Sequence, residues 1–86
     1  MTAPTTQQEA IQQFIDLAND MKNKGLTKEA VSTALMRACA VYSTYVVTGN
    51  NGALRSSGIE KIQKIFGLEL ETVQQAKLAE SDVSAS

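Results

Sequence analysis

Residues 30–47 read AVSTALMRACAVYSTYVV, and this stretch decides how the chain folds, because it holds one charged residue, Arg37, and neither glycine nor proline. At about 100° per residue, its apolar side chains cover one broad face of an α-helix. That face is extended by Met36, Cys39, Ala40 and Val47. A helix that is apolar on most sides must be covered on most sides. The stretch therefore predicts a central helix wrapped by its neighbours, a self-association surface, or both.

The length of the chain predicts one small domain. Eighty-six residues suit a single hydrophobic core. Residues 1–5 (MTAPT) and 81–86 (SDVSAS) hold little that can be buried, so we expect two disordered ends and a folding unit at residues 6–80. Because a domain of this size buries only about 60–65% of its unfolded surface, its stability should be modest unless a partner adds buried area.

Capping signals predict the first two helices. Thr6-Gln7-Gln8-Glu9 is a capping box, in which the Thr6 hydroxyl accepts from the Glu9 amide and the Glu9 side chain reaches back. The box starts a helix at about residues 7–24, which Gly25 ends by adopting a left-handed conformation. Thr27 is the expected N-cap of the apolar helix at about residues 28–48, and residues 49–52 (GNNG) end that helix.

Two apolar stripes predict a core on either side of the corner at Gly25. Helical spacing predicts that the first helix buries Ile11, Phe14, Ile15, Ala18 and Met21. The central helix should face them with its own most buried residues, which are expected to be Val31, Leu35, Ala38 and Tyr42.

Residues 57–79 predict a third helical segment with a break. A second capping box, Ser57-Gly58-Ile59-Glu60, starts it, and Gly67 is expected to end its first part before the helix restarts and reaches about Ala79. No strand pattern competes with these periods. The predicted fold is therefore all-α: a small bundle of three helical segments, three to four helices with the break, around the central apolar helix.

The composition lacks the residues that most often carry chemistry at neutral pH. The chain has no histidine and one cysteine. Histidine acid–base catalysis, histidine-activated nucleophiles and histidine metal ligands are therefore excluded. The ligands that remain for a zinc ion are one cysteine and the carboxylates. We therefore expect no enzyme activity, no catalytic residue, no metal and no cofactor.

Charge and hydropathy predict a cytoplasmic protein without a membrane or nucleic-acid partner. A net charge of −1 gives no field that attracts phosphates or an anionic membrane. The most apolar run, residues 38–47, contains Ser43 and Thr44 and is half the length of the about 20 apolar residues that a span needs. No basic, apolar signal sequence opens the chain, and a single cysteine cannot form an internal disulfide.

Residues 58–76, GIEKIQKIFGLELETVQQA, suggest an alternative function, because they resemble a DNA-binding helix-turn-helix with Gly67-Leu68 at the turn. A recognition helix needs cations for phosphates and donors for bases. Here residues 68–80 hold three glutamates against Lys77 alone. A plain helical corner is the simpler interpretation, and a DNA-binding regulator that uses residues 58–79 is the alternative.

The flank of the central helix that remains once the core face is packed inward predicts an association surface. Tyr42 and Tyr45 are either core residues with a hydroxyl at the edge or anchors of that interface. Cys39 is expected to act there as a small hydrophobe rather than as a reactive thiol. The candidate interface residues are Met36, Cys39, Ala40, Tyr45 and Val47.

Three segments resemble a family of small bacterial proteins of unknown function. They are Phe14-Ile15-Asp16-Leu17-Ala18-Asn19, residues 34–38 (ALMRA) and residues 42–45 (YSTY). The resemblance implies a "FIDLAN" helix followed by an alanine-rich helix with an aromatic end, and it implies no site. We therefore expect a small, non-enzymatic, bacterial helical protein that acts through protein contacts, either as a homodimer or with another protein.

Overall fold

Three helices make up the computed structural model, which describes residues 3–49 and 52–85. They are α1 (Gln7–Asn23), α2 (Lys28–Thr48) and α3 (Ser56–Ala85), of 17, 21 and 30 residues. No strand lies in those described ranges, so the predicted all-α class is confirmed. Asn50 and Asn51, expected to end the central helix, lie outside the described residues, as do residues 1, 2 and 86 of the predicted disordered ends.

The start of α1 follows its capping signal. Thr6 is extended, with φ −131°, and its hydroxyl accepts a hydrogen bond from the Glu9 N–H at 3.1 Å. The Glu9 carboxylate reaches back one residue further than expected, and accepts from the Thr5 N–H at 2.9 Å and the Thr5 hydroxyl at 3.1 Å. The Glu9 N–H, one of the donors that helix geometry leaves open at the N-terminus, is thus satisfied by a side chain of the same segment.

The end of α1 is a Schellman motif around Gly25. The Gly25 N–H donates to the Lys22 carbonyl at 3.0 Å, and the Leu26 N–H donates to the Met21 carbonyl at 3.1 Å. Gly25 has φ +114°, a value that side chains with a Cβ rarely adopt. The predicted role of Gly25 as the residue that ends the first helix is confirmed.

The bounds of α2 agree with the prediction at both ends. The Thr27 hydroxyl accepts from the Ala30 N–H at 3.1 Å, which confirms Thr27 as the N-cap. At the other end Gly49 has φ +71°, and its N–H donates to the Tyr45 carbonyl at 2.7 Å. Both ends of the apolar helix are therefore determined by residues adjacent to it in sequence.

The predicted start and break of the third helix are wrong. The Arg55 carbonyl accepts from the N–H groups of Gly58 at 2.9 Å and Ile59 at 3.1 Å, so the helix begins at Ser56 and Ser57 already lies inside it. Gly67 does not have positive φ, and α3 continues through it. A glycine inside a helix costs only about 1 kcal/mol relative to alanine, and the neighbouring leucines and glutamates are good helix formers. The helix also passes the predicted end at Ala79 and reaches Ala85.

The chain divides into two units, Met1–Tyr42 and Ser43–Ser86. In the first unit Val31 is buried, at 8% exposure. The half-buried residues of that unit are Ala10, Gln13, Ala18 and Ala30. The half-buried residues of the second unit are Ser43, Thr44, Thr48, Leu54, Gly58, Ile62 and Gly67. The single folding unit that we predicted at residues 6–80 stays a prediction.

Most of the predicted core is exposed. Val31 confirms the prediction and Ala18 is half-buried, but Leu35, Ala38 and Tyr42 are exposed. The predicted stripe of α1 is exposed at Ile11, Phe14, Ile15 and Met21. Helical spacing shows which residues share a face, whereas burial also needs a neighbouring element along that face. Within the described residues, the positions with least exposure in the first unit are mostly small side chains.

Candidate association surface on α2

The surface of α2 is rich in exposed apolar side chains. Its large ones are between 41% and 70% exposed. They are Leu35, Met36, Val41, Tyr42, Tyr45, Val46 and Val47. Between Glu29 and the end of the helix, Arg37 is the one charged side chain. Large exposed apolar surface on a protein is often an interaction surface.

The five predicted interface residues are all exposed, but they do not share one face. Met36, Ala40 and Val47 fall within about 40° of one another around a helix with 100° per residue, and Tyr45 lies about 160° away. Cys39 lies between them, is exposed and is not in a disulfide. Their exposure agrees with the prediction, and their role in an interface stays a prediction.

A second set of exposed residues lies in a single row, which we call the α2 row: Leu35, Cys39, Tyr42 and Val46. Their spacings of four, three and four residues hold them on one side of the helix. Leu35 and Tyr42 were expected to face inward, and the structure places them outward. The spacing was visible in the sequence, but it carries no information on which side of the helix is covered.

The polar side of α2 is the less exposed one near its C-terminal end. Ser43, Thr44 and Thr48 are half-buried there. The Thr48 hydroxyl donates to the Thr44 carbonyl at 2.9 Å, so this hydroxyl is satisfied inside its own helix. At the end of α2 these hydroxyl residues are therefore less exposed than Val46 and Val47.

Charged side chains in the described parts of the chain make few close contacts with one another. No group of three histidine, cysteine or acidic side chains there is placed to hold a metal ion. The one ion pair among these residues joins the Lys24 Nζ and the Asp20 carboxylate at 3.0 Å on the surface of α1. Hydrogen bonds from the Thr5 N–H and hydroxyl, with a smaller one from the Thr6 backbone, lower the pKa of Glu9. The expected lack of enzyme activity stays a prediction.

By length and composition alone, α2 is the one helix in the described residues that qualifies as a membrane span. A core helix of a soluble protein meets the same criteria. Arg37, near the middle of α2, would cost about 2.5–3.5 kcal/mol at the centre of a bilayer. The cytoplasmic location without a membrane partner stays a prediction.

The comparison with protein families gives one match. A family model described as "Protein of unknown function (DUF3144)" matches residues 7–72. The matched segment contains all of α1 and α2 and the first part of α3. No curated protein and no solved structure matched the chain. The match agrees with the expected resemblance to a family of unknown function and does not bear on a bacterial origin.

Proposed function

Because the chain belongs to the DUF3144 family of unknown function, we propose a function from its own surface: it is a small non-enzymatic helical protein that acts through protein contacts, as a homodimer formed along α2. The observation that carries the proposal is the exposed apolar surface of α2, with Arg37 as its one charge beyond the first turn. The proposal involves no nucleic acid, membrane or cofactor.

Covering the exposed apolar surface of α2 would stabilise the protein. Each 100 Å² of apolar area removed from water is worth about 2.5 kcal/mol. In the first unit, Val31 is the one buried residue among those described, so its own packing supplies little of this term. Covering α2 with a second copy would add burial that a chain of this length otherwise lacks.

The alternative of a helix-turn-helix regulator loses its structural basis. That motif needs a turn between two helices, and α3 runs from Ser56 to Ala85 without a turn at Gly67. The acidic second half of α3 also offers few cations for phosphates. We therefore do not propose DNA binding.

The proposal is tested by sedimentation over protein concentrations from about one to several hundred micromolar. Met36→Glu and Tyr45→Glu place a charge on opposite sides of α2, at residues that are 55% and 54% exposed. Leu68→Glu is the matched control, since Leu68 is 54% exposed on α3. We expect both α2 variants to weaken the dimer at least about tenfold, because a carboxylate that the partner helix covers loses part of its water, and Leu68→Glu to leave the dimer unchanged.

Two results would contradict the proposal. The first is a monomer mass for the wild-type chain at every concentration, which would mean that other parts of the same chain cover α2. The second is an equal loss of dimer with Leu68→Glu, which would move the interface from α2 to α3. Far-UV circular dichroism of each variant shows whether the helices are still formed.

A further inference from the structure

We propose that the dimer pairs two α2 helices in antiparallel orientation through the α2 row, with Cys39 of one chain against Tyr42 of the other. This inference rests on the proposed function and adds the face, the direction and the register. Its starting point is that Leu35, Tyr42 and Val46 are exposed along one side of a single helix, together with Cys39.

The spacing of the α2 row suits a second helix of the same kind. Apolar residues at intervals of four and three form the seam along which two helices cross at about 20°, with side chains of one helix between those of the other. Arg37 lies about 170° from the row at 100° per residue, so pairing buries no charge. A partner with charged groups on its surface would have to desolvate them against this seam, whereas a second copy brings none.

The exposed area fits a small but specific interface. Tyr42 is 70% exposed and Tyr45, which borders the row, is 54% exposed. With about 150–250 Å² per aromatic side chain, these two rings offer roughly 250 Å² on each chain. A specific dimer at the low end of the size range buries about 600 Å² on each partner. The remaining area is available from Leu35 and Val46 in the row and from Met36, which borders the row on the other side; they are 41%, 64% and 55% exposed.

Side-chain size decides the direction. In an antiparallel pair centred between residues 39 and 42, each Tyr42 lies beside the small Cys39 of the partner, and Leu35 lies beside Val46. A parallel pair would place the two tyrosines in one layer and the two cysteines in the next, and this uneven filling is unfavourable in close-packed interfaces. Antiparallel packing also puts opposite ends of the helix dipoles side by side.

Disulfide cross-linking between two different chains tests the arrangement. The wild-type chain, with Cys39 as its only cysteine, is mixed with a Cys39→Ala/Tyr42→Cys chain that carries a mass tag. Mild oxidation should join wild-type to variant chains in clear excess over links between like chains, because a disulfide needs Cα atoms about 4.4–6.8 Å apart. The control variant is Cys39→Ala/Thr33→Cys, since Thr33 is exposed about 150° from the row.

A second mixture keeps both tyrosines. Cys39→Ala/Leu35→Cys is mixed with Cys39→Ala/Val46→Cys, and the antiparallel register again predicts links between unlike chains. An excess of links between like chains would mean a parallel pair, and cross-linking no greater than with Thr33→Cys would mean a different face of α2. Either result overturns this inference. If sedimentation still gives a dimer mass, the proposed function stands. A monomer mass overturns both.

Discussion

Gly67→Ala should stabilise the protein, because Gly67 lies in the interior of α3 with a helical backbone and open space around it. Gly67 does not have positive φ, and no atom outside its own helix turn lies within 4 Å of the point where a Cβ would stand. The substitution therefore adds no clash. It reduces the conformational freedom of the unfolded chain and so favours the folded state.

The expected gain follows from helix propensity. Alanine is favoured over glycine by about 0.8–1.0 kcal/mol inside a helix. With no steric cost to subtract, the free energy of unfolding should rise by about that amount. For a domain of this size, 1 kcal/mol corresponds to a rise in Tm of about 4–8 °C.

Gly25→Ala is a matched control, because Gly25 also has open space at its Cβ position but has φ +114°. The two substitutions differ mainly in the backbone conformation that alanine must adopt. Gly25→Ala should therefore lower stability by about 1–2 kcal/mol. Thermal unfolding is followed at 222 nm at one fixed protein concentration, because association makes Tm depend on concentration.

A lower Tm for Gly67→Ala, like that expected for Gly25→Ala, would contradict the prediction. That result would show a left-handed Gly67 and a broken third helix in solution. An unchanged Tm would also contradict it, because a glycine in an intact helix interior must respond to alanine.

Two further predictions concern the helix starts. Thr27→Ala should lower the free energy of unfolding in urea by about 1 kcal/mol, because it removes the N-cap of α2. The control Thr33→Ala should be nearly neutral, since the Thr33 hydroxyl donates to the Glu29 carbonyl one turn earlier in the same helix. Equal losses in the two variants would mean that Thr27 does not stabilise the protein as a cap. Glu9 has a folded pKa below its ordinary value of 4.5, so its stabilising contribution should be full above the unfolded pKa and lost as pH falls through the folded pKa. An NMR titration of Glu9 should show this lowered pKa, and Thr5→Ala should raise it toward the ordinary value. The same Glu9 pKa in the wild-type and Thr5→Ala chains would contradict the hydrogen bonds from the Thr5 hydroxyl.

Local signals in the sequence were sufficient where the physics is local. Thr6, Gly25 and Thr27 act on backbone groups within four residues of themselves, so the bounds of α1 and α2 were predicted closely. The third helix shows where local rules compete. Ser57 and Gly67 each fit a capping rule, but α3 begins before the first and passes the second, because a helix interior tolerates both residues at a cost of about 1 kcal/mol or less.

The residues of α2 alone were enough to predict a long apolar helix with one charge beyond its first turn and with ends near Thr27 and Gly49. Which of its residues are covered could be seen only from the packing of the folded chain. Val31 and Tyr42 lie on nearly the same side of α2, about 16 Å apart at 1.5 Å per residue, yet Val31 is 8% exposed and Tyr42 is 70% exposed. Periodicity is a property of one helix, whereas burial depends on how far a neighbouring element extends along it.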